Sequence, residues 1–461
     1  MTMFKKTLLA ATITGALVAP QMVLAEEAVS QEYVANTSEF FSESTISGNL
    51  NFWMRSRDRG NVDANGNDTK KTTNLDHGSI FANIGFNSGY IGGVAGADVV
   101  IYSTFDMWQN GGADHEMNFW GVNNPYDKKA EDSSCSNVWT DCNDNGASFA
   151  TAAAKFKFGE SVTAKLGYFQ PSVPSSLGVN WSFAPGTYRG GEVGATFGDL
   201  ALGVVVADEY KAPWFKETYE FRTSDGEDAG VVYSVGARYN LANNISLDFG
   251  YGALTDGDRK NMHFKVKGTT DSGFFWSPQL YVVDDSEQFD STAFQLAFLS
   301  AKSFGQYSFR AEATYTVAED LNSNNVGNMS YRLTKEYGGS NGAYDIWWNN
   351  RSDFNHDGEL AGFFSASRDF SDIGGKGFSA GLSAAAGAGS SAPGYDDLLE
   401  YAYSAFANYA IQRGALEGAN ISFYYTEYFN DTNAPNWTGY TNLFQDETDF
   451  KLTLTIPFGI K

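Results

Sequence analysis

The chain lacks every feature of a helical membrane protein or a compact hydrolase. After its first twenty residues, no apolar run approaches the roughly 20 residues that a membrane helix needs. It holds four histidines among 461 residues, with no G-x-S-x-G and no H-E-x-x-H, so hydrolytic and zinc-protease chemistry have no visible machinery. Lys and Arg number 31 against 55 Asp and Glu, a formal net charge of −24, which excludes nucleic acid as a partner class. Ten prolines in such a length leave long stretches free to pair as strands. The two cysteines, Cys135 and Cys142, lie close together in the polar stretch "SSCSNVWTDCNDNGAS". A zinc site needs about four ligands and no histidine clusters there, so the expectation for an exported chain is one disulfide.

Export is read from the start, "MTMFKKTLLAATITGALVAPQMVLAEE". Lys5 and Lys6, a short apolar run and the small residues Val23 and Ala25 predict a signal peptide over 1–25. Pro20 and Gln21 end the run too early for an anchor. A short periplasmic segment is expected over 26–44.

What is present is one pattern repeated. In "ISGNLNFWMRSR", Ile46, Leu50, Phe52 and Met54 share a face opposite Asn49, Asn51, Trp53, Arg55 and Arg57. In "DFKLTLTIPF", Phe450, Leu452, Leu454, Ile456 and Phe458 oppose Asp449, Lys451, Thr453 and Thr455. Period two with one apolar and one polar face means a sheet that is wet on one side. Segments are expected at 45–58, 77–88, 92–106, 149–158, 161–170, 187–198, 200–209, 230–240, 244–254, 261–268, 273–284, 291–301, 306–317, 359–370, 376–387, 400–411, 419–429 and 448–458. Their connections alternate between tight turns ("KFGES", "FGD", "NLANN", "SFGQ") and long polar stretches (107–147, 171–187, 210–229, 430–447). That asymmetry separates a membrane barrel from a soluble sandwich. The expected fold is therefore all-β: one transmembrane antiparallel β-barrel over 45–461, with about 18 strands (16 as the alternative), short periplasmic turns and long external loops. Its surroundings would be outer-membrane lipid and lipopolysaccharide.

The stretch "GAYDIWWNNRSDFNHDGE" tests this count. A strand there would make nineteen, and single-chain bacterial barrels have even numbers. It is assigned instead to one long external loop, 318–358. "DFNHDGELAGFF" begins like a calcium loop, but its twelfth position is Phe364 where a bidentate Glu is required, so turn chemistry accounts for it and no metal or cofactor is expected.

Sorting by face gathers Arg55, Arg57, Lys155, Lys157, Lys165, Arg238, Lys265, Lys267 and Arg310 in the lumen, with Glu192 and Glu312; Arg310 and Glu312 are spaced to pair with each other. The loop joining the fifth and sixth strands carries Trp181, Phe183 and Tyr188, then Arg189. Aromatic faces there and at Trp53, Trp214, Trp347 and Trp348, beside polar Asp345 and Arg351, suit the apolar faces of pyranose rings. A membrane-interface girdle or a loop anchor would use the same residue types.

The stretches "FWMRSRDR", "AAAKFKFG", "GYFQPS", "WSFAPGTYRGGEVGA", "DEYKAPW", "GAYDIWWNNRSDFNHDGE" and "YTEYFND" with "NLFQDE" resemble the OprD-type outer-membrane porins, and among them the members that pass chitin oligosaccharides. The resemblance implies a monomeric diffusion channel, not an enzyme, with a constriction loop over 171–187. It implies a basic ladder at Arg55, Arg57, Lys155 and Lys157. Chitin oligosaccharides are the implied substrate, with amino acids or other small carboxylates as the alternative. Two features depart from the pattern: the final residue is Lys461 rather than an aromatic, and the loop cysteines are not expected.

Overall fold

A computed structural model describes residues 37–460, except 62, 64–67, 112–115, 121–123, 127–142, 395–396 and 433–442. The signal peptide, Cys135 and Cys142 lie outside the described residues. A six-residue helix, Thr37–Ser42, lies against the first short turn, where the Gly89 N–H donates to the Phe40 carbonyl at 3.0 Å.

Eighteen long antiparallel strands follow. They are β1 (Thr45–Arg59), β2 (Thr72–Asn87), β3 (Ala95–Gly111), β4 (Gly146–Phe158), β5 (Val162–Phe169) and β6 (Thr187–Phe197). Next come β7 (Leu200–Lys211), β8 (Val232–Leu241), β9 (Ile245–Leu254), β10 (Lys260–Thr269), β11 (Phe275–Asp284) and β12 (Ala293–Phe304). The last six are β13 (Tyr307–Val317), β14 (Leu360–Asp369), β15 (Phe378–Ala388), β16 (Leu399–Ala410), β17 (Asn420–Asn430) and β18 (Glu447–Ile460). Each pairs with its sequence neighbour. β18 returns to β1 in register from Ile46↔Ile460 to Arg59↔Glu447, which closes the sheet and removes its edges. No long strand covers 343–351, so the even count stands.

Alternation sets the two faces. On β7, Leu202, Val204 and Val206 point outward and are exposed, the side lipid covers, while Val205 and Ala207 point inward and are buried. At the short-turn end Asn243 and Asn244 adopt φ of 66° and 57°, a left-handed conformation that Asn tolerates better than most residues. β2 and β3 run several residues further toward the long-loop end than their alternation suggests. A bulge at Gly78/Ser79 lets the Trp108 ring lie where a Cβ on Gly78 would fall, 2.4 Å from ring carbons.

The interior is not an open tube. Long loops fold inward and build apolar clusters inside the wall. One gathers Tyr188, Tyr210, Trp214, Phe215 and Tyr219; a second Tyr281, Tyr331, Trp348, Phe354 and Phe363; a third Phe81, Tyr102, Phe119 and Phe183.

The loop between β5 and β6 is seated by an absence of side chains. Gly194, Gly203, Gly236 and Gly250 stand in register on β6, β7, β8 and β9, forming one row across the inner wall. A Cβ on Gly203 would lie 2.2 Å from the Pro174 carbonyl oxygen, one on Gly236 2.4 Å from the Pro174 carbonyl carbon, and one on Gly250 2.7 Å from that of Ser175. Backbone 174–176 therefore rests directly on backbone, and the Ser176 N–H donates to Ser234 Oγ at 2.9 Å.

Candidate functional site

Two in-folded loops, not one, narrow the lumen. The β5–β6 loop meets the β13–β14 loop through paired backbone bonds: the Gly178 N–H donates to the Asn341 carbonyl at 3.1 Å and the Ala343 N–H to the Ser176 carbonyl at 2.9 Å. A side chain on Gly178 would meet the Gly342 carbonyl oxygen at 2.2 Å. Tyr188 ties the clasp from the wall, its hydroxyl donating to the Asn341 carbonyl at 2.9 Å. The external loop expected over 318–358 thus dips inside, and residues 342–350 cross the inner wall.

Side chains from the wall hold that crossing. Lys265 Nζ donates to the Ala343 carbonyl at 2.6 Å and to Asp345 at 2.9 Å, and Lys267 reaches Asp345 at 2.7 Å. Burial alone would raise the Asp345 carboxyl, but the two ammonium groups outweigh it and hold it well below the usual carboxylate range. Arg310 Nη2 donates to the Trp347 carbonyl at 3.1 Å and pairs with Glu312 at 2.7 Å. Trp348 is only 8% exposed, stacks on Phe363 and donates Nε1 to Glu312 at 2.8 Å. Its neighbour Trp347 is 61% exposed. Further along, Arg351 is paired with Glu447 of β18.

Trp347 faces a cavity of about 310 Å³ between the in-folded loop and the wall formed by β1, β17 and β18. Trp53 and Tyr424 supply aromatic surface; Asn349, Ser422, Thr453 and Thr455 supply amide and hydroxyl groups; Arg55, Glu116 and Lys451 supply charge. Sequence reading placed Thr453, Thr455 and Lys451 on a polar face without naming them as site residues. Tyr424, Asn349 and Glu116 it did not single out. Alternation carried the signal for the strand residues, and none existed for the loop residues.

The expected lumenal cations are found on the inner wall, mostly paired with acids. Arg55 is buried and bidentate to Asp449 at 2.8 and 3.0 Å. Lys155 meets Asp98 at 2.8 Å, Lys165 meets Glu192 at 3.3 Å, and Arg238 meets Asp248 at 2.5 Å. Glu192 also accepts from the Ser172 N–H at 2.8 Å, pinning the start of the β5–β6 loop. Arg57 donates to Asn74 at 2.7 Å, and Lys157 is exposed near the short-turn end.

Four expectations are corrected. Arg55 and Arg57 lie toward the long-loop end of β1, whereas Lys155 and Lys157 lie by the turn after β4, so the four do not form one ladder. Arg189 is turned outward, since β6 alternates from inward Tyr188, and it binds Asp208 at 2.8 and 2.6 Å and Glu209 at 2.6 Å. Trp214 is wholly buried, stacked on Tyr337 with centroids 5.0 Å apart, and anchors a loop rather than presenting a face. Phe183 is likewise committed, stacked on Phe81 at 4.2 Å. Trp181 keeps an exposed indole in the β5–β6 loop.

No protein-family model matches the chain. Chitoporin of Escherichia coli (strain K12) is 35% identical over 460 residues, covering 92% of this chain and 94% of that protein. Among solved structures, OccAB1 of Acinetobacter baumannii superposes with a TM-score of 0.71 at 15% identity, covering 93% of this chain and 100% of that one. The outer membrane protein OpdK of Pseudomonas aeruginosa gives 0.68 at 14%, covering 91% and 100%. At such identities these two likenesses speak for the barrel alone, and the family rests on the sequence match. The chain belongs to the chitoporin family, and is an eighteen-stranded β-barrel porin of the Gram-negative outer membrane.

Proposed function

We propose that the channel passes chitin oligosaccharides by diffusion through the single passage that each chain encloses by itself. The observation that carries this reading is Trp347, an exposed indole on a cavity lined by Trp53, Tyr424 and hydroxyl and amide groups, where the charged Arg55 and Lys451 are both paired with Glu116. A pyranose ring stacks its C–H face on such a plate, and its hydroxyls and N-acetyl groups exchange hydrogen bonds with Asn349, Ser422 and Thr455. The pairing of most lumenal cations with acids favours a neutral substrate over small carboxylates, which need unpaired positive charge to replace their hydration. Current through a single channel in a planar bilayer tests the reading. Chitohexaose is expected to interrupt it in discrete events at micromolar concentration, with maltohexaose and simple amino acids far weaker. Blocking by amino acids as strong as that by chitohexaose, or no blocking by chitohexaose, would sink the reading.

A further inference from the structure

The stretch that resembles the start of a calcium loop holds a different arrangement. His356 and Glu359 stand at the end of the β13–β14 loop, just before β14, and meet Glu400 from the start of β16. All three are buried. His356 Nδ1 lies 3.2 Å from Glu359 Oε2 and 3.5 Å from Glu400 Oε1. One donor atom of each residue lies within 4.8 Å of the other two.

We propose that His356, Glu359 and Glu400 bind one divalent transition-metal ion of the zinc type, which clamps the root of the in-folded loop to the barrel wall. Zinc bonds of about 2.0–2.1 Å to nitrogen and oxygen set neighbouring ligand atoms about 3.4 Å apart in a tetrahedron, close to both histidine–carboxylate separations. Glu400 Oε1 is buried, makes no hydrogen bond, and is the atom directed at His356. Glu359 Oε1 is also buried without a hydrogen bond. It lies against bare backbone on β15, where a Cβ on Gly387 would fall 1.9 Å away. An unsatisfied carboxylate oxygen inside a protein is costly, and a metal ion held between the three donors satisfies Glu400 Oε1.

Charge points the same way. Among the described residues no lysine or arginine forms an ion pair with Glu359 or Glu400, so one imidazole faces two carboxylates. Outer groups already orient the donors. Tyr428 donates its hydroxyl to Glu400 Oε2 at 2.6 Å, and the backbone N–H of His356 donates to Glu359 Oε2 at 2.9 Å. One histidine with two carboxylates and a remaining position for water suits zinc. The donor set is too small and too rich in nitrogen for calcium, which takes six to eight oxygens.

Tag-free full-length protein in detergent, stripped with a chelator and reloaded with zinc alone, provides the test. After dialysis the wild type is expected to retain about one zinc per chain, and His356→Gln or Glu359→Gln to bind at least about tenfold more weakly. X-ray absorption of the loaded wild type is expected to show a shell of one histidine nitrogen with oxygens at about 2.0–2.1 Å. That arm holds even if both variants fail to fold. Retention of negligible zinc by the wild type, a shell without imidazole, or full retention by folded variants overturns the proposal.

Discussion

Trp348 donates its indole N–H to Glu312 on the barrel wall at 2.8 Å, and through that bond two adjacent tryptophans part company. Trp348 is pressed onto Phe363 with the ring planes 12° apart, so the chain turns and presents Trp347 to the cavity. One indole fixes the loop, and the other is left with a free face.

Substituting the two separately should therefore give different signatures. Trp347→Ala should cost about 1 kcal/mol of sugar binding, a roughly five-fold fall in chitohexaose affinity, with the open channel quiet. Trp348→Ala should open a buried cavity costing about 3–5 kcal/mol and give noisy conductance. Single-channel records of both variants are the check, and identical behaviour would refute the division of labour.

Gly236→Val should disturb the aperture more than the barrel. The new side chain would occupy the space of the Pro174 and Ser175 backbone and lift the β5–β6 loop off the wall. Conductance should change while the heat-modifiable mobility of the folded barrel persists. Wild-type conductance in this variant would show that the row of glycines does not seat the loop.

Asp345 should keep the second loop in place through mild acid. Its carboxyl is depressed from an ordinary 3.8, so its contribution is complete above that value and is lost only as pH falls through the lower folded one. Channel noise should stay flat from neutral pH down to about pH 4 in the wild type. Asp345→Asn should be noisy at every pH, because Lys265 and Lys267 lose their partner. A wild-type transition near pH 6 would contradict this.

Arg55 and Arg57, two residues apart on one face, should respond differently. Arg55→Gln removes the bidentate partner of buried Asp449 and should cost about 3–5 kcal/mol of stability. Arg57→Gln should leave the melting temperature nearly unchanged and shift the reversal potential in a salt gradient toward cations. Thermal melts and reversal potentials separate the two effects.

The strands were legible because period two is a local signal: five residues such as Phe450 to Leu454 suffice to show it. Parity then kept Trp347 and Trp348 out of a strand. The fates of the aromatics were not legible, since they depend on partners far along the chain. Trp214 is buried by Tyr337, 123 positions later, and Phe183 by Phe81, 102 positions earlier. Arg189 was misjudged because it was read with the loop before it; counting back from lumenal Glu192 by twos puts Tyr188 inward and Arg189 outward. The glycines of β6 to β9 were visible as letters, but their common row depends on the register of four strands. Glu400 stands 44 positions after His356, and only the closed wall makes them neighbours.

The row of four glycines carries one more consequence. The height at which the channel narrows is inscribed in the wall as missing atoms, as well as in the loop that rests there. Substitutions at loop positions that do not touch the row should then alter what the aperture favours without moving it.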